Sequence, residues 1–194
     1  MHNQKLDFHA LVSHLEIIDI DSPDKVTLRE LAQFEDEHNF QLPSDYKTFC
    51  QTLGSGRFGN HMRVYCPKPE FSSRMIQNMK ASLEMDRAEN REPENFRFFM
   101  KLLPACFVFA NNPNNQDIVW DLNTYQETDD GYDIYLISHE PPDEIFFLGR
   151  SFLGFVKNFC VGDVGYQNLP AYLHPSEGDI LPCFYQYSSN ITSF

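Results

Sequence analysis

Apolar residues recur with helical spacing in several segments of the first half of the chain. The pattern over residues 5–20 predicts a first helix or helix-like arm, and that over residues 70–90 predicts a long helix. The Met-rich face of the long helix is interpreted either as core contact or as an adaptable binding surface. Between the two, Thr27 followed by Glu30 is typical of a capping box, which predicts a helix from Thr27 to about Asn39.

The stretch LPSDYKTFCQTLGSGRFG, residues 42–59, combines another helical pattern with a literal G-x-G-x-x-G. Its apolar residues share one face of a short helix that starts at Pro43 or Ser44: Tyr46, Phe49, Cys50 and Leu53. A dinucleotide-binding loop requires a strand, then glycines, then a helix, whereas here the helix precedes the glycines. We therefore interpret Gly54 as the left-handed residue that ends the helix, and we expect no phosphate site.

The second half of the chain changes to short runs of β-branched and aromatic residues bounded by turn-forming residues. Four strands are predicted, over 106–112, 117–122, 132–138 and 144–149. The connections between them are too short for crossover helices, so neighbouring strands should be antiparallel. Ser151 then begins a last helix whose buried face repeats the helical spacing: Phe152, Phe155, Val156 and Phe159.

These elements predict one α+β domain, with a mainly antiparallel sheet flanked by helices. We place the domain over residues 1–165, with its core at about 25–160. Residues 166–194 have no clear periodicity, and we expect them to form a C-terminal extension packed on the domain.

Charge is distributed unevenly along a chain whose formal net charge is −13. Residues 102–149 contain no Lys or Arg, so that this span should repel nucleic acids and anionic membranes and attract a basic protein. We take two acidic turns in this span as the candidate partner-binding residues: Glu127, Asp129, Asp130, Asp133, Glu140, Asp143 and Glu144. The alternative interpretation is that these carboxylates are solvated loop residues that keep the protein soluble.

Motifs that carry known chemistry are missing from the sequence. The seven His are scattered without zinc-ligand spacing, and the acidic YQETDDGYD segment lacks the spacing of a calcium loop. An acidic turn is the simpler account of that segment, with weak cation binding left open. There is no G-x-S-x-G and no nucleophilic Cys signature. We therefore predict no catalytic residue, no metal site and no cofactor.

Two further features bear on the cellular compartment. No apolar run is long enough to span a membrane, and the first residues, MHNQKLDFHALVSHLEI, lack the pattern of a secretory signal. The five Cys are widely separated and never form C-x-x-C, which is typical of reduced, buried thiols. We expect a cytoplasmic protein of unknown oligomeric state.

The order of these elements resembles the SUKH superfamily, the Smi/Knr-type domain named for fungal cell-wall regulators. The resemblance rests on a short helix ending at Phe40, the LPSDYKTFCQTLGSG helix, the FVFANN…DIVWDL strand pair and the SFLGFVKNF helix, and it covers about residues 25–160. Two departures are the charged insertion at 70–100 and the tail after Gly165. Either could carry a role peculiar to this chain.

The resemblance implies a protein that binds other proteins. Many members are implied to be immunity proteins that neutralise bacterial toxins, often nucleases, and others are implied to be signalling scaffolds. No catalytic centre is implied for the family. We therefore expect an immunity protein for a cognate basic toxin, with a regulatory or scaffolding protein as the alternative and an enzyme of unrecognised type as a more distant one.

Overall fold

An eight-stranded sheet lies at the centre of the computed structural model, which describes residues 8–19, 23–90, 95–140 and 143–188. Its strands in chain order are β1 Glu16–Ile18, β2 Gly56–Phe58, β3 Met62–Val64, β4 Cys106–Asn112, β5 Gln116–Gln126, β6 Gly131–Ser138, β7 Glu144–Gly149 and β8 Cys183–Gln186. Across the sheet they follow the order β1-β8-β2-β3-β4-β5-β6-β7. Only β1 and β8 are parallel, so the predicted antiparallel sheet is confirmed.

Six α-helices flank this sheet within the described residues. They are α1 Phe8–Val12, α2 Leu28–His38, α3 Ser44–Thr52, α4 Pro69–Ala88, α5 Phe96–Leu102 and α6 Phe152–Phe155. Ser151 Oγ accepts a hydrogen bond from the Gly154 N–H and so begins α6, which continues into a π-helical turn over Val156–Cys160. Helices and sheet form a single body, which confirms the α+β class.

The helix predicted over residues 5–20 is wrong in its second half. Helix α1 ends at Val12, and Glu16–Ile18 forms β1, in which Ile17 lies opposite Phe184 of β8. The apolar spacing is compatible with either structure, and pairing with a distant strand decides between them because it satisfies the backbone groups of both segments. Leu6, part of the same prediction, lies outside the described residues.

The ends of α2 and α3 follow the sequence closely. The Thr27 N–H donates to Glu30 Oε2 at 2.8 Å and the Glu30 N–H donates to Thr27 Oγ1 at 3.3 Å, which is the predicted capping box. Gly54 follows α3 with a φ of 75°, and a Cβ there would lie 2.5 Å from the Asp24 carbonyl oxygen. Helix α3 thus precedes the glycines and β2 follows them, which is the reverse of a phosphate-binding loop.

The two faces of the sheet are covered by different helices. On the first face, α1, α2, α3 and α6 enclose the main core, in which the Trp120 ring lies 4.3 Å from the Phe109 ring and 4.8 Å from that of Tyr46. On the second face, α4 and α5 cover a smaller core that includes Val119 and Ile137. The helical insertion therefore serves to close the second face of the sheet.

The chain beyond residue 165 contributes a strand to the sheet. Strand β8 lies between β1 and β2, where Phe58 of β2 is opposite Phe184. Two 3₁₀ turns, Val164–Asn168 and Ala171–Leu173, precede it, and Tyr166 of the first turn is buried. The domain boundary drawn at residue 165 stays a prediction.

Candidate functional site

The seven acidic residues taken from the sequence fall into two groups at opposite ends of β6. One group occupies the β5–β6 turn and the start of β6: Glu127, Asp129, Asp130 and Asp133. The other group occupies the β6–β7 connection and the start of β7: Glu140, Asp143 and Glu144. Because β6 is eight residues long, the two groups are separated by roughly 25 Å of strand and do not form one continuous patch.

Arg150 partly neutralises the first group. Its Nε–H donates to Asp129 Oδ2 at 2.7 Å, and its Nη1 donates to Asp133 Oδ1. Further bonds from Nη2 reach the carbonyl oxygens of Thr124 and Gly131 at 2.8 and 2.9 Å. The hydrogen bonds from Arg150 hold the pKa of the Asp129 carboxyl below its ordinary value. Arg150 is the first cation after the span without Lys or Arg, and nothing in the sequence indicates that it contacts this turn.

Asp130 joins the turn to α3. Its Oδ2 accepts from the Ser44 N–H at 2.7 Å and from the Ser44 hydroxyl at 2.5 Å, and its Oδ1 accepts from the Tyr125 hydroxyl at 3.0 Å. Partial burial and the bond to Asp130 raise the pKa of Tyr125 to about 12, so that this hydroxyl remains a donor at neutral pH. The backbone of Asp130 has a φ of 48°, a conformation that Asp tolerates better than most residues.

An open groove of about 490 Å³ runs between this turn and the α2–α3 link, and we call it the acidic groove. Three carboxylates line it, those of Glu35, Asp36 and Asp130, together with one cation, Lys47. Lys47 Nζ lies 2.7 Å from Glu35 Oε1, which also accepts the Leu42 N–H at 2.6 Å. Asp36 is exposed, as is Glu127 in the adjoining turn. The groove therefore carries more negative than positive groups, and the two exposed carboxylates face solvent.

The second group is organised around His139. Its Nε2 lies 3.0 Å from Asp117 Oδ2 and its Nδ1 lies 3.7 Å from Asp143 Oδ2. Burial alone lowers the pKa of His139, but the hydrogen bond to Asp117 and the nearby carboxylate of Asp143 outweigh it and raise that pKa to about 9. The imidazole is therefore a cation at neutral pH, which offsets part of the charge of the two carboxylates.

Asp143 is buried and serves as an anchor for α4. Its Oδ1 accepts from the Ser82 hydroxyl at 3.1 Å, and its N–H donates to Asp86 Oδ2 at 3.2 Å. Of the second group, only Glu140 and Glu144 are exposed, and Glu144 accepts a hydrogen bond from the Tyr172 hydroxyl. Sequence analysis did not identify Ser82 and Asp86, because they belong to a helix far away in the chain and no motif links them to the β6–β7 connection.

A polar cleft of about 460 Å³ opens beside His139, between α4 and the β4–β5 turn. Amide side chains dominate its lining, among them Asn78, Asn112 and Gln116. Asn112 Nδ2 donates to Gln116 Oε1 at 2.5 Å, and Asn112 Oδ1 accepts the Asn114 N–H at 3.0 Å. Asn112 and Gln116 are thus partnered by each other and by the backbone, and they shape the turn.

Three features of the described residues bear on the chemistry open to this chain. No group of three or more His, Cys, Asp and Glu side chains there could hold a metal ion. The five cysteines are free and buried, and burial raises the pKa of the Cys50 and Cys160 thiols well above the ordinary value. Among the same residues, no helix is both long enough and apolar enough to span a bilayer.

One protein family matches the chain. The model described as SMI1 / KNR4 family (SUKH-1) covers residues 25–158, close to the 25–160 span over which the sequence resembles that superfamily. The match includes α2 to α5, β2 to β7, α6 and the acidic groove, and it ends before β8. No curated protein and no solved structure matches the chain.

Proposed function

Because this chain belongs to the SMI1/KNR4 (SUKH-1) family, we propose that it is a non-enzymatic immunity protein. It binds a cognate basic bacterial toxin, such as a nuclease, in the cytoplasm and covers the toxin's active site. Family membership supports a protein-binding role of the immunity or regulatory kind. The observation that carries the choice of a basic toxin is the acidic groove.

The acidic groove suits a cationic partner for electrostatic reasons. A nuclease must be positively charged where it holds phosphates, so a protein that covers this surface gains from offering carboxylates in their place. Asp36 and Glu127 are exposed and meet this requirement directly. Long-range attraction to such a surface raises association rates by about 10- to 1,000-fold at low ionic strength and disfavours wrong partners.

The seven residues taken from the sequence contribute to this proposal unequally. Glu127, Glu140 and Glu144 are exposed and can contact a partner. Asp129 and Asp133 share the charge of Arg150, so that we expect a weaker contribution from them. Asp130 and Asp143 accept hydrogen bonds from Ser44 and Ser82, so their contribution is to position the acidic turns.

A toxin-rescue experiment tests the proposal. A toxin gene adjacent to the gene for this chain is expressed with and without it, and cell survival and complex affinity are measured at low and high salt. We expect Asp36→Lys and Glu127→Lys each to weaken the complex roughly tenfold at low salt and to reduce its salt dependence. Glu84→Lys, at an exposed position of α4, is the matched control and should bind like the wild type.

The outcomes separate the two roles implied by the family. Loss of rescue with Asp36→Lys in the acidic groove and with Glu127→Lys in the adjoining turn, but not with the control, supports the immunity function. Absence of both rescue and complex formation for every neighbouring toxin contradicts it and favours the regulatory or scaffolding role. Equal binding by all three variants rules out the acidic groove as the contact surface.

A further inference from the structure

Two arginines face each other on the second face of the sheet. Arg57 of β2 and Arg63 of β3 are directly opposite in the antiparallel pairing of these strands. The same row of paired residues continues through Asn111 and Asp117 to Ile137, which belongs to the smaller core under α4 and α5. Because residues paired in this way project from one face of a sheet, both arginine side chains belong to that face.

The arginine pair, as we call Arg57 and Arg63, is not neutralised within the part of the chain that the structure describes. No carboxylate there forms an ion pair with either guanidinium, and the buried Nε of Arg57 has no hydrogen-bond partner. Like charges directly opposite each other in a sheet are destabilising, although the chain has 28 acidic residues that could supply a partner. The pair therefore keeps a positive charge that the fold does not compensate.

Carboxylates on the same face are set apart from the arginine pair. Glu16 of β1 is separated from β2 by β8, and Asp117 of β5 is separated from β3 by β4. Two strand spacings place their backbones at least about 10 Å from the arginine backbones. In addition, Asp117 Oδ2 lies 3.0 Å from Nε2 of the cationic His139. Neither carboxylate therefore cancels the charge of the pair.

Tyrosine rings hold the arginine pair in place. The guanidinium carbon of Arg57 lies 4.9 Å from the centre of the Tyr185 ring, which is opposite it on β8. Burial raises the pKa of Tyr187, and the charges of Arg63 and Arg57 oppose that rise, so both cations act on the same hydroxyl. An arginine that is ordered before a ligand arrives loses less conformational entropy on binding.

The polar cleft between α4 and the β4–β5 turn reaches the arginine pair, because Arg63 is part of its lining. Its volume of about 460 Å³ lies within the range of roughly 300–1,000 Å³ that is usual for small-molecule sites. Asn78 is exposed on α4, and Asn111 accepts the Tyr65 hydroxyl through Oδ1, which leaves its Nδ2 without a partner among the described residues. Asp117 in the same lining accepts hydrogen bonds but repels a second anion. The cleft thus suits an uncharged body that carries hydroxyl groups.

We propose that the arginine pair binds the phosphate group of a small, hydroxyl-rich phosphate monoester, whose uncharged body lies in the polar cleft. Such a phosphate carries a charge of about −1.5 to −2 and three acceptor oxygens, which match two guanidinium groups, whereas one carboxylate leaves one cation unmatched. Nucleic acids and anionic membranes fit less well, because the span without Lys or Arg repels large anionic surfaces. This site is separate from the acidic groove and does not depend on the proposed function.

Titration with defined phosphate esters tests the proposal. Glucose 6-phosphate and glycerol 3-phosphate are the probes, and methyl phosphate, which has the same charged group but no hydroxyl, is the matched control. Calorimetry is carried out at constant ionic strength, so that screening by salt is the same in every titration. We expect both probes to bind roughly tenfold more tightly than methyl phosphate, since hydroxyl groups add hydrogen bonds in the cleft. The backbone NMR signals of Arg57, Arg63 and Asn111 should shift as the probes bind.

Variants separate the two halves of the site. Arg57→Met and Arg63→Met should each weaken the binding of all three esters roughly tenfold or more, because a charge-assisted hydrogen bond is lost. Arg29→Met, at an exposed position of α2 on the opposite face, removes the same charge and should bind like the wild type. Asn78→Ala should weaken the binding of the two probes and leave that of methyl phosphate unchanged, because Asn78 contacts only the body.

Urea unfolding without phosphate checks that the arginine variants fold. Removal of one of two facing like charges should leave stability equal or higher. A marked loss of stability in both variants would show that the guanidinium groups serve the fold, which overturns the proposal.

The binding data decide the rest. Tighter binding of the two probes than of methyl phosphate, lost in Arg57→Met and Arg63→Met but kept in Arg29→Met, supports the proposal. Equal binding of all three esters, or unchanged affinity in the arginine variants, overturns it. Citrate that binds more tightly than either probe also overturns it, because the pair would then be a site for carboxylates.

Discussion

Asp130 caps helix α3 across 86 residues of sequence, since its Oδ2 accepts both the Ser44 N–H, at 2.7 Å, and the Ser44 hydroxyl, at 2.5 Å. The residue at the N-cap position itself, Pro43, has no side-chain oxygen to offer the helix. A carboxylate at this end also interacts favourably with the helix dipole. The β5–β6 turn is therefore part of the support of α3, the helix on which the family resemblance mainly rests.

Removal of this cap should destabilise the protein. We expect Asp130→Ala to lower the free energy of unfolding by about 1–2 kcal/mol, as the loss of other helix caps does. Asp130→Asn keeps an oxygen acceptor and tolerates the positive φ, so that it should lose less than half as much. Urea unfolding of the three proteins measures the difference. Equal losses for the Ala and Asn variants would contradict the capping role and point to the charge alone.

Arg150 sets the charge state of the same turn. Replacing it in Arg150→Met should raise the pKa of the Asp129 carboxyl toward its ordinary value, because the hydrogen bonds that hold it down are lost. In the wild type this group contributes stability above its unfolded pKa and loses it as pH falls through the lower, folded pKa. Carboxyl NMR titration measures the change at the residue itself.

Lys157→Met provides the control for Arg150→Met. Lys157 is exposed on the π-helical turn, and its replacement removes the same formal charge from another part of the surface. The pKa of Asp129 should stay at its wild-type value in this variant. A similar rise in both variants would mean that general charge, and not the bonds from Arg150, sets the pKa.

Local signals in the sequence were sufficient for most of the elements. Thr27 and Glu30 fix the start of α2, and Gly54 fixes the end of α3, because capping and left-handed backbone depend on residues only a few positions apart. The four strands from Cys106 to Gly149 follow from alternation and turns in the same way. In a series of hairpins, successive turns lie at opposite ends of the strand between them. The two acidic groups are therefore expected to be separated by the length of β6.

Contacts between distant segments could not be predicted in this way. The parallel pairing of Glu16–Ile18 with β8 joins segments near the two ends of the described chain. No motif in either segment indicates that it pairs with the other. The same holds for Arg150 with Asp133 and for Ser82 with Asp143, which are brought together only by the folded sheet. The charge counted along the sequence is therefore more negative than the charge that the acidic turns present in the folded protein.

Protonation of His139 should make stability depend on pH. Its pKa is raised from 6.5 to about 9 in the folded protein, so its contribution is fully present below pH 6.5 and is lost as pH rises through about 9. The full contribution is on the order of 3 kcal/mol, converted from the shift in pKa. Unfolding free energies measured between pH 6 and pH 9.5 should therefore decline more steeply in the wild type than in His139→Asn.

The comparison with His139→Asn removes the effect of other groups that titrate at alkaline pH, since both proteins share them. Asp117 and Asp143 remain in the variant, where an amide still donates a hydrogen bond but carries no charge. Parallel pH profiles for the two proteins would contradict a charged His139. A profile that rises with pH in the wild type would contradict the sign of the shift.

Ser72 anchors the insertion helix α4 to the sheet, because its buried hydroxyl accepts the Val108 N–H at 3.0 Å where the pairing of β4 and β5 shifts register. We expect Ser72→Ala to lower the free energy of unfolding by about 1–3 kcal/mol, since a buried N–H is left without an acceptor. Ser73→Ala, an exposed neighbour in the same helix, should change it by less than about 0.5 kcal/mol. Chemical unfolding measures both variants, and hydrogen exchange at the Val108 amide reports the loss directly. Unchanged protection of that amide in Ser72→Ala would show that the bond from Val108 to Ser72 does not help to hold α4 on the sheet.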